Sequence, residues 1–153
     1  MALYLVQHAL SLPKDKDPEK GISPQGRSDA LRIAEVAKGY DVAVSRILHS
    51  GKKRALETAA IFAEALTPTG GIAAAAGLNP MDDVAKAAET MVTETGLMIV
   101  GHLPFMERLT AFLVTGKTEK PVFKFQNAGI VCLENDPEKG GWVIVWSLIP
   151  NIR

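Results

Sequence analysis

The chain has 153 residues, with 17 basic and 17 acidic side chains, so its formal net charge at neutral pH is zero. This balance argues against a protein that binds nucleic acid or a membrane surface, and no apolar run is long enough to span a bilayer. The single cysteine, Cys132, cannot form an internal disulfide. Because the first residues lack the basic region of a signal peptide, we expect a cytoplasmic protein with one domain over residues 1–153.

The first predicted element is a strand at residues 3–7, where an apolar run leads directly into Gln7 and His8. The run does not alternate with polar residues, which is typical of a strand buried on both faces. A polar, lysine-rich loop follows at residues 10–22 and is a candidate rim of a binding site. His8 would then lie at the carboxyl edge of a sheet, where open α/β sheets bind their ligands.

A helix is predicted to begin at Pro24, because Ser23 is a good N-cap and proline is favoured in the first turn, and to end at Gly39. Its predicted apolar face consists of Ala30, Leu31, Ala34, Val36 and Ala37. A strand is predicted next at residues 42–48, and a helix at 53–66. A short strand at 72–76 and a helix at 80–92 follow.

The remaining signals predict a strand at residues 97–100 and a helix at 104–114, followed by strands at 122–125, 129–133 and 142–148. The chain therefore begins with alternating strands and helices and ends in a run of strands. This order predicts a three-layer α/β fold, with a mostly parallel central sheet, helices on both faces and an antiparallel C-terminal edge.

Two histidines follow predicted strands: His8 after the first strand, and His102 after the strand at 97–100. Ser50 and Arg54 lie where another strand passes into a helix. Because the carboxyl ends of parallel strands share one edge, these residues could converge. Two imidazoles, a guanidinium and a helix N-terminus make a suitable receptor for a phosphoryl dianion. We therefore predict that His8 is a nucleophile that takes up a phosphoryl group.

Five segments resemble the motifs of the histidine phosphatase superfamily, which includes the phosphoglycerate mutases. In chain order they are 5–9 (its Arg-His-Gly motif), 21–27 (its Pro-Leu-Thr-x-x-Gly segment), 50–59 (its second phosphate-binding segment), 100–104 (its second histidine) and 127–134 (its C-terminal strands). The segment at 100–104 has the form common in the small SixA-type phosphohistidine phosphatases. The likeness extends over essentially the whole chain and implies a phosphoglycerate mutase-like fold.

The resemblance also implies a mechanism without a cofactor, in which His8 becomes transiently phosphorylated and water then hydrolyses the phosphoenzyme. Arg54 and His102 would hold the phosphoryl oxygens as charge spreads over them. Gln7 and Lys20 are further candidates for phosphate binding, and Ser50 could either bind phosphate or cap the helix. The expected partner is a phosphorylated protein or a small phosphorylated substrate, and the oligomeric state is left open.

The sequence departs from the family pattern at Gln7, where relatives have an arginine. A glutamine can donate hydrogen bonds, but it has neither the charge nor the fork of a guanidinium. We therefore expect weakened activity, and the alternative is a degenerate, non-catalytic module that binds phosphate or phosphoprotein. Lys20, Lys52 and Lys53 are candidates to restore part of the missing charge.

No general acid is evident, and Asp82 and Asp83 are the nearest candidates. We favour the interpretation that they stabilise the start of a helix through its dipole. A phosphohistidine or another activated phosphate would need an acid least, because an imidazole can leave already protonated. The three histidines lack the short spacing of zinc ligands and lie near basic residues, so no metal is expected.

Overall fold

The structure, a computed structural model, describes residues 1–152. Its strands are β1 (Ala2–Gln7), β2 (Arg46–His49), β3 (Ile72–Ala74), β4 (Leu97–Gly101), β5 (Ile130–Asp136) and β6 (Gly141–Leu148). Its helices are α1 (Pro24–Gly39), α2 (Lys53–Leu66), α3 (Val84–Thr90) and α4 (Phe105–Thr115). Within this described part, no helix is long and apolar enough to cross a membrane.

All six strands form one sheet in the order β3-β2-β4-β1-β5-β6. The first four in this order are parallel, whereas β5 is antiparallel to β1 and β6 is antiparallel to β5. This topology confirms the predicted α/β fold with an antiparallel C-terminal edge. Because β4 lies between β2 and β1, the carboxyl ends of these three strands meet side by side.

The sheet has an apolar core on each face, and alternate residues of β1 contribute to opposite cores. Tyr4 and Val6 belong to the core that α1 and α2 cover, which includes Phe62. Leu3 and Leu5 belong to the core that α3 and α4 cover. Burial on both faces explains why β1 has an uninterrupted apolar sequence, and it gives the strand ends rigid positions.

Helix α1 begins as the sequence predicts, with the Ser23 hydroxyl accepting a hydrogen bond from the Gly26 amide at 3.0 Å. A side chain at Gly26 would clash with the Leu10 carbonyl, which lies 2.2 Å from where a Cβ atom would stand. The predicted apolar face is wrong at two positions, because Leu31 and Val36 are 47% and 39% exposed. Ile33 is buried instead, since it lies on the same side of the helix as the buried alanines.

Three predicted boundaries are corrected by the structure. Residues 122–125 do not form a strand; Phe123 packs edge-on against Phe125, with ring centroids 5.2 Å apart, in an irregular segment. The predicted helix at 80–92 is shortened to α3, because the Asp83 carboxylate caps it by accepting from the amides of Ala85 and Lys86. The predicted strand at 42–48 is reduced to β2.

Candidate active site

Three neighbouring strand ends carry polar side chains that meet at one edge of the sheet. His8 follows β1, His102 follows β4 and Ser50 follows β2. The ring centroids of His8 and His102 are 5.0 Å apart, and the ring planes are tilted by 49°. The Ser50 hydroxyl lies 2.6 Å from Nε2 of His102. The structure therefore brings together three of the side chains that the sequence singled out.

The His8 ring is fixed in one tautomer by its own loop. Its Nδ1 atom lies 2.7 Å from the Ala9 carbonyl oxygen. Because a carbonyl oxygen can only accept a hydrogen bond, Nδ1 must carry the proton. In the neutral ring, Nε2 therefore keeps its lone pair, which is the form that a nucleophile needs.

Burial keeps His8 in this neutral form. Loss of solvent is the largest of the effects that lower the pKa of the His8 imidazole from 6.5 to about 4, and the positive charges of Arg54 and Lys20 contribute in the same direction. The hydrogen bond to the Ala9 carbonyl acts in the opposite direction without reversing the shift. At neutral pH the ring is consequently unprotonated at Nε2.

The backbone around His8 is held by three other parts of the chain. The His8 amide donates to the Gly101 carbonyl at 2.9 Å, which continues the pairing of β1 with β4. The Asn127 side chain donates to the His8 carbonyl at 2.8 Å. The Ala9 amide donates to the Thr58 hydroxyl at 2.9 Å. These bonds hold the nucleophile candidate in a rigid loop.

Sequence reasoning did not assign a role to Asn127 or Thr58, although both occur in segments that resemble the family motifs. Each acts on His8 through a hydrogen bond between residues that are distant in the sequence, 119 positions apart for Asn127. Such contacts depend on the tertiary fold. The only available signal was the presence of a polar side chain in a matching segment.

His102 is buried, and it too is neutral. Burial is the largest of the effects that lower its pKa from 6.5 to about 3, and the charges of His8, Arg54 and Lys52 contribute in the same direction. Its Nε2 atom contacts Ser50, while its buried Nδ1 atom has no hydrogen-bond partner among residues 1–152. An anion beside His102 would stabilise the protonated form of this ring, in which both ring nitrogens are hydrogen-bond donors.

Arg54 lies in the first turn of α2, beside both histidines. Its guanidinium is half-buried, and this burial lowers its pKa. Helix α2 begins after Lys52 without a side-chain cap and without an acidic residue in its first turn. A cation in this position opposes the helix dipole unless an anion binds there. Arg54 and the first amides of α2 therefore form a positively polarised surface that faces the histidines.

The contacts of Ser50 bear on the capping alternative, and its role in binding phosphate stays a prediction. The α2 N-cap is Lys52, whose amide is 3.4 Å from the Ser50 hydroxyl, whereas His102 lies much closer. The hydroxyl therefore interacts with His102 rather than capping the helix. His49, the preceding residue, accepts from the Gly51 amide at 3.1 Å and supports the turn into α2.

The three lysines near the site have different environments. Lys20 is half-buried, and its charge helps to lower the pKa of His8, while Lys52 has the same effect on His102. Lys53 instead forms an ion pair with Asp17 at 2.8 Å, which lowers the pKa of that carboxyl to about 2. Lys53 thus fastens the loop at residues 10–22 to α2.

Gln7 ends β1 next to His8 and is half-buried. Its side-chain oxygen Oε1 is buried and has no hydrogen-bond partner in the described chain. A guanidinium at this position would present only donors, so the substitution changes the hydrogen-bonding character of this end of β1 as well as its charge.

The two acidic candidates are occupied in local structure. Asp83 caps α3, and Asp82 accepts from the Asn79 amide at 2.9 Å. The contacts of Asp83 agree with the predicted role at the start of a helix, whereas Asp82 stabilises the turn that precedes α3. Over the described residues 1–152, no group of three or more His, Cys, Asp or Glu side chains is arranged to hold a metal ion.

The chain is similar over nearly its full length to solved phosphatase structures. The protein histidine phosphatase SixA complexed with tungstate has a TM-score of 0.81 and 23% identity, with 98% of this chain and 97% of that chain covered. A candidate phosphohistidine phosphatase SixA from Agrobacterium tumefaciens has a TM-score of 0.76 and 20% identity, with 97% of both chains covered. A mycobacterial glucosyl-3-phosphoglycerate phosphatase complexed with VO3 has a TM-score of 0.69 and 16% identity, with 95% and 98% covered.

No protein-family model and no curated protein sequence matches the chain. At the identities of the solved structures, the likeness establishes the fold. The chain has the phosphoglycerate mutase-like fold of the histidine phosphatases, as the motif resemblance implied.

Proposed function

We propose that this protein is a phosphohydrolase that works through a phosphohistidine intermediate on Nε2 of His8, within a single domain. The observation that carries the proposal is the bond from Nδ1 of His8 to the Ala9 carbonyl. This bond leaves the lone pair of Nε2 free, in a neutral ring, 5.0 Å from the His102 ring between centroids. Proteins with the same fold have been solved in complex with tungstate and with VO3, which supports an oxyanion as the kind of ligand that this protein binds.

The reaction has two steps. In the first, the Nε2 lone pair forms a bond to phosphorus while the bond from phosphorus to the leaving group breaks, and the leaving group takes that electron pair. In the second, water attacks phosphorus, the bond to Nε2 breaks, and inorganic phosphate is released with His8 restored. Arg54, His102 and the first amides of α2 stabilise the charge on the phosphoryl oxygens in both steps.

The preferred substrate is a protein phosphohistidine or another small activated phosphate. The two carboxylates considered as general acids, Asp82 and Asp83, are engaged in turn and helix hydrogen bonds. An alkyl phosphate needs a proton on its leaving oxygen, whereas an imidazole leaves readily once protonated. The site therefore favours a phosphorus–nitrogen bond over a phosphate ester.

Labelling with isotopic phosphoramidate tests the proposal. The wild-type protein should acquire an acid-labile label and release inorganic phosphate, and His8→Ala should do neither. His49→Asn is the matched control, because His49 has no assigned role in the reaction and asparagine keeps an acceptor for the Gly51 amide, and it should still become labelled. A label that survives in folded His8→Ala would reject His8 as the nucleophile.

A second function, non-catalytic recognition of phosphate or phosphoprotein, is favoured by one feature, the replacement of an arginine by Gln7. The same phosphate-binding groups would then hold the ligand without transfer. Saturable binding of phosphoramidate to the wild type, with neither label nor phosphate release, would support this function over hydrolysis.

A further inference from the structure

Thr58 lies between the loop that carries His8 and the helical turn that carries Arg54. Its side chain is fully buried in the second turn of α2. The hydroxyl accepts from the Ala9 amide at 2.9 Å and donates to the Arg54 carbonyl at 2.7 Å. One hydroxyl thus joins the loop that carries the nucleophile to the helical turn that carries the guanidinium.

Hydrogen bonds extend from Thr58 to the imidazole of His8. The Ala9 carbonyl, on the same residue that Thr58 holds through its amide, accepts from Nδ1 of His8. A chain of three hydrogen bonds therefore runs from the first turn of α2 through Thr58 and Ala9 to the imidazole. Because Ala9 is fully buried, water cannot replace the Thr58 hydroxyl as the acceptor for its amide.

We propose that Thr58 is a positioning residue, which sets the orientation and tautomer of His8 relative to Arg54. This inference rests on the proposed function of His8 as a nucleophile. Thr58 does not itself contact the phosphoryl group. Its contribution is geometric, since in-line transfer requires Nε2 and the oxyanion-binding groups at fixed relative positions.

The chain contains a matched control at Thr110. This threonine is also fully buried in a helix, and its hydroxyl also donates to the carbonyl four residues earlier, that of Met106, at 2.8 Å. The structure assigns the Thr110 hydroxyl only this local bond in the described residues. Replacing Thr110 by valine therefore reproduces the loss of a buried hydroxyl without releasing the nucleophile loop.

The test compares Thr58→Val, Thr58→Ser and Thr110→Val in the phosphoramidate assay. For Thr58→Val we expect kcat to fall by about 10- to 100-fold with little change in KM, because the groups that bind substrate remain. Thr58→Ser should recover most of the rate, and Thr110→Val should resemble the wild type. A folded Thr58→Val with wild-type kcat, or a folded Thr58→Ser as slow as Thr58→Val, would overturn the proposal.

Imidazole nitrogen NMR spectra without substrate separate this inference from the proposed function. The wild type should show His8 protonated at Nδ1, and Thr58→Val should show a mixture of the two tautomers. If the wild type is never labelled but this spectral change occurs, hydrolysis is rejected and the positioning role is retained. If Thr58→Val does not fold, the wild-type spectrum decides: a mixed His8 tautomer, or rapid solvent exchange of the Ala9 amide, contradicts the role of Thr58.

Discussion

Helices α1 and α2 pack on the same face of the sheet, yet their N-termini are satisfied in different ways. At α1, the Ser23 hydroxyl accepts from the Gly26 amide, and Pro24 has no amide hydrogen to satisfy. At α2, the described structure contains no side-chain cap, and Arg54 adds a positive charge to the first turn. Helix N-termini need acceptors or anions. At α1 the protein itself provides the acceptor. At α2 no side chain provides one, and this helix begins near the two histidines.

The other two helices repeat this contrast. Asp83 caps α3, which begins away from the histidines in the sequence. Helix α4 begins directly after His102 and, like α2, has no side-chain cap in the part of the chain described. The two helices that begin next to the candidate site are thus the two left uncapped. Helix α4 has an acidic residue, Glu107, in its first turn, whereas α2 has none, so under the proposed function an anionic ligand would complete the N-terminus of α2.

Replacing Arg54 should have the largest effect. For Arg54→Ala we expect kcat/KM for phosphoramidate to fall by about 10²- to 10³-fold, because a charged donor to the transition state is lost. Arg54→Lys keeps the charge but not the guanidinium fork, so its rate should lie between those of the wild type and Arg54→Ala. Unchanged kinetics in Arg54→Ala would contradict the assignment of the N-terminus of α2, rather than that of α1, to phosphoryl binding.

The pH dependence should report the burial of His8. Protonation of Nε2 occupies the lone pair that attacks phosphorus, so kcat/KM should fall by roughly tenfold per pH unit below the pKa of the free enzyme. Since burial lowers the pKa of His8 from 6.5 to about 4, the acid limb should lie near pH 4. A pH–rate profile over the range in which the protein stays folded measures it. A limb near pH 6.5 would show that His8 is solvated.

The same shifts predict how stability depends on pH. The pKa values of His8 and His102 are lowered from 6.5 to about 4 and about 3. The unfolded chain therefore binds more protons than the folded chain below pH 6.5, and the free energy of unfolding falls as the pH drops through this window. Denaturant unfolding at several pH values measures this dependence. The free energy of unfolding should change less steeply with pH in His8→Asn than in the wild type.

Restoring the arginine at position 7 should increase activity. A hydrogen bond to a charged group contributes about 1.5–3 kcal/mol, against roughly 1 kcal/mol for a neutral pair. For Gln7→Arg this difference of about 0.5–2 kcal/mol corresponds to an expected gain of about 2- to 30-fold in the rate of His8 labelling. No gain, in a folded variant, would indicate that the natural protein is not limited by the missing charge.

The capped N-terminus offers the opposite experiment. Ser23→Ala should lower the free energy of unfolding by about 1 kcal/mol, because the Gly26 amide loses its acceptor. Its kcat/KM should stay within about twofold of the wild type, since α1 has no role in binding the phosphoryl group. Denaturant titration and the phosphoramidate assay measure the two quantities. A large loss of activity with unchanged stability would show that the N-terminus of α1 takes part in the reaction, against the role assigned to it here.

Neutralising the lysines should have the smallest effects. Lys20→Met and Lys52→Met should each slow labelling by about two- to fivefold, because the half-buried Lys20 and the exposed Lys52 are both partly screened by solvent. Lys53→Met should leave the rate unchanged, since its ammonium is paired with Asp17. A wild-type labelling rate after neutralisation of the three lysines, singly and together, would remove the idea that they replace the missing arginine charge.

The elements with the strongest local signals were predictable from the sequence. The bounds predicted for α2, 53–66, match Lys53–Leu66, and the apolar run at 3–7 lies within β1. The predicted strand at 122–125 failed because Phe123 and Phe125 gain their burial from each other and from the core rather than from strand pairing. An apolar pattern indicates burial, and it does not by itself specify the backbone.

The proximity of His8, Arg54 and His102 was predictable for a topological reason: parallel strands end at a common edge. The parts that orient them were not. The bond from Nδ1 of His8 to Ala9 depends on the path of the loop, and the link through Thr58 depends on how α2 docks against that loop. Local sequence patterns contain little information about either.

The most direct measurement is a crystal structure of the protein soaked with vanadate. The account predicts that vanadium lies within bonding distance of Nε2 of His8, with its oxygens contacting Arg54, His102 and the first amides of α2, and that the N-terminus of α1 is not occupied. Vanadate bound elsewhere, or bound at this edge of the sheet without contact to Nε2 of His8, would contradict it.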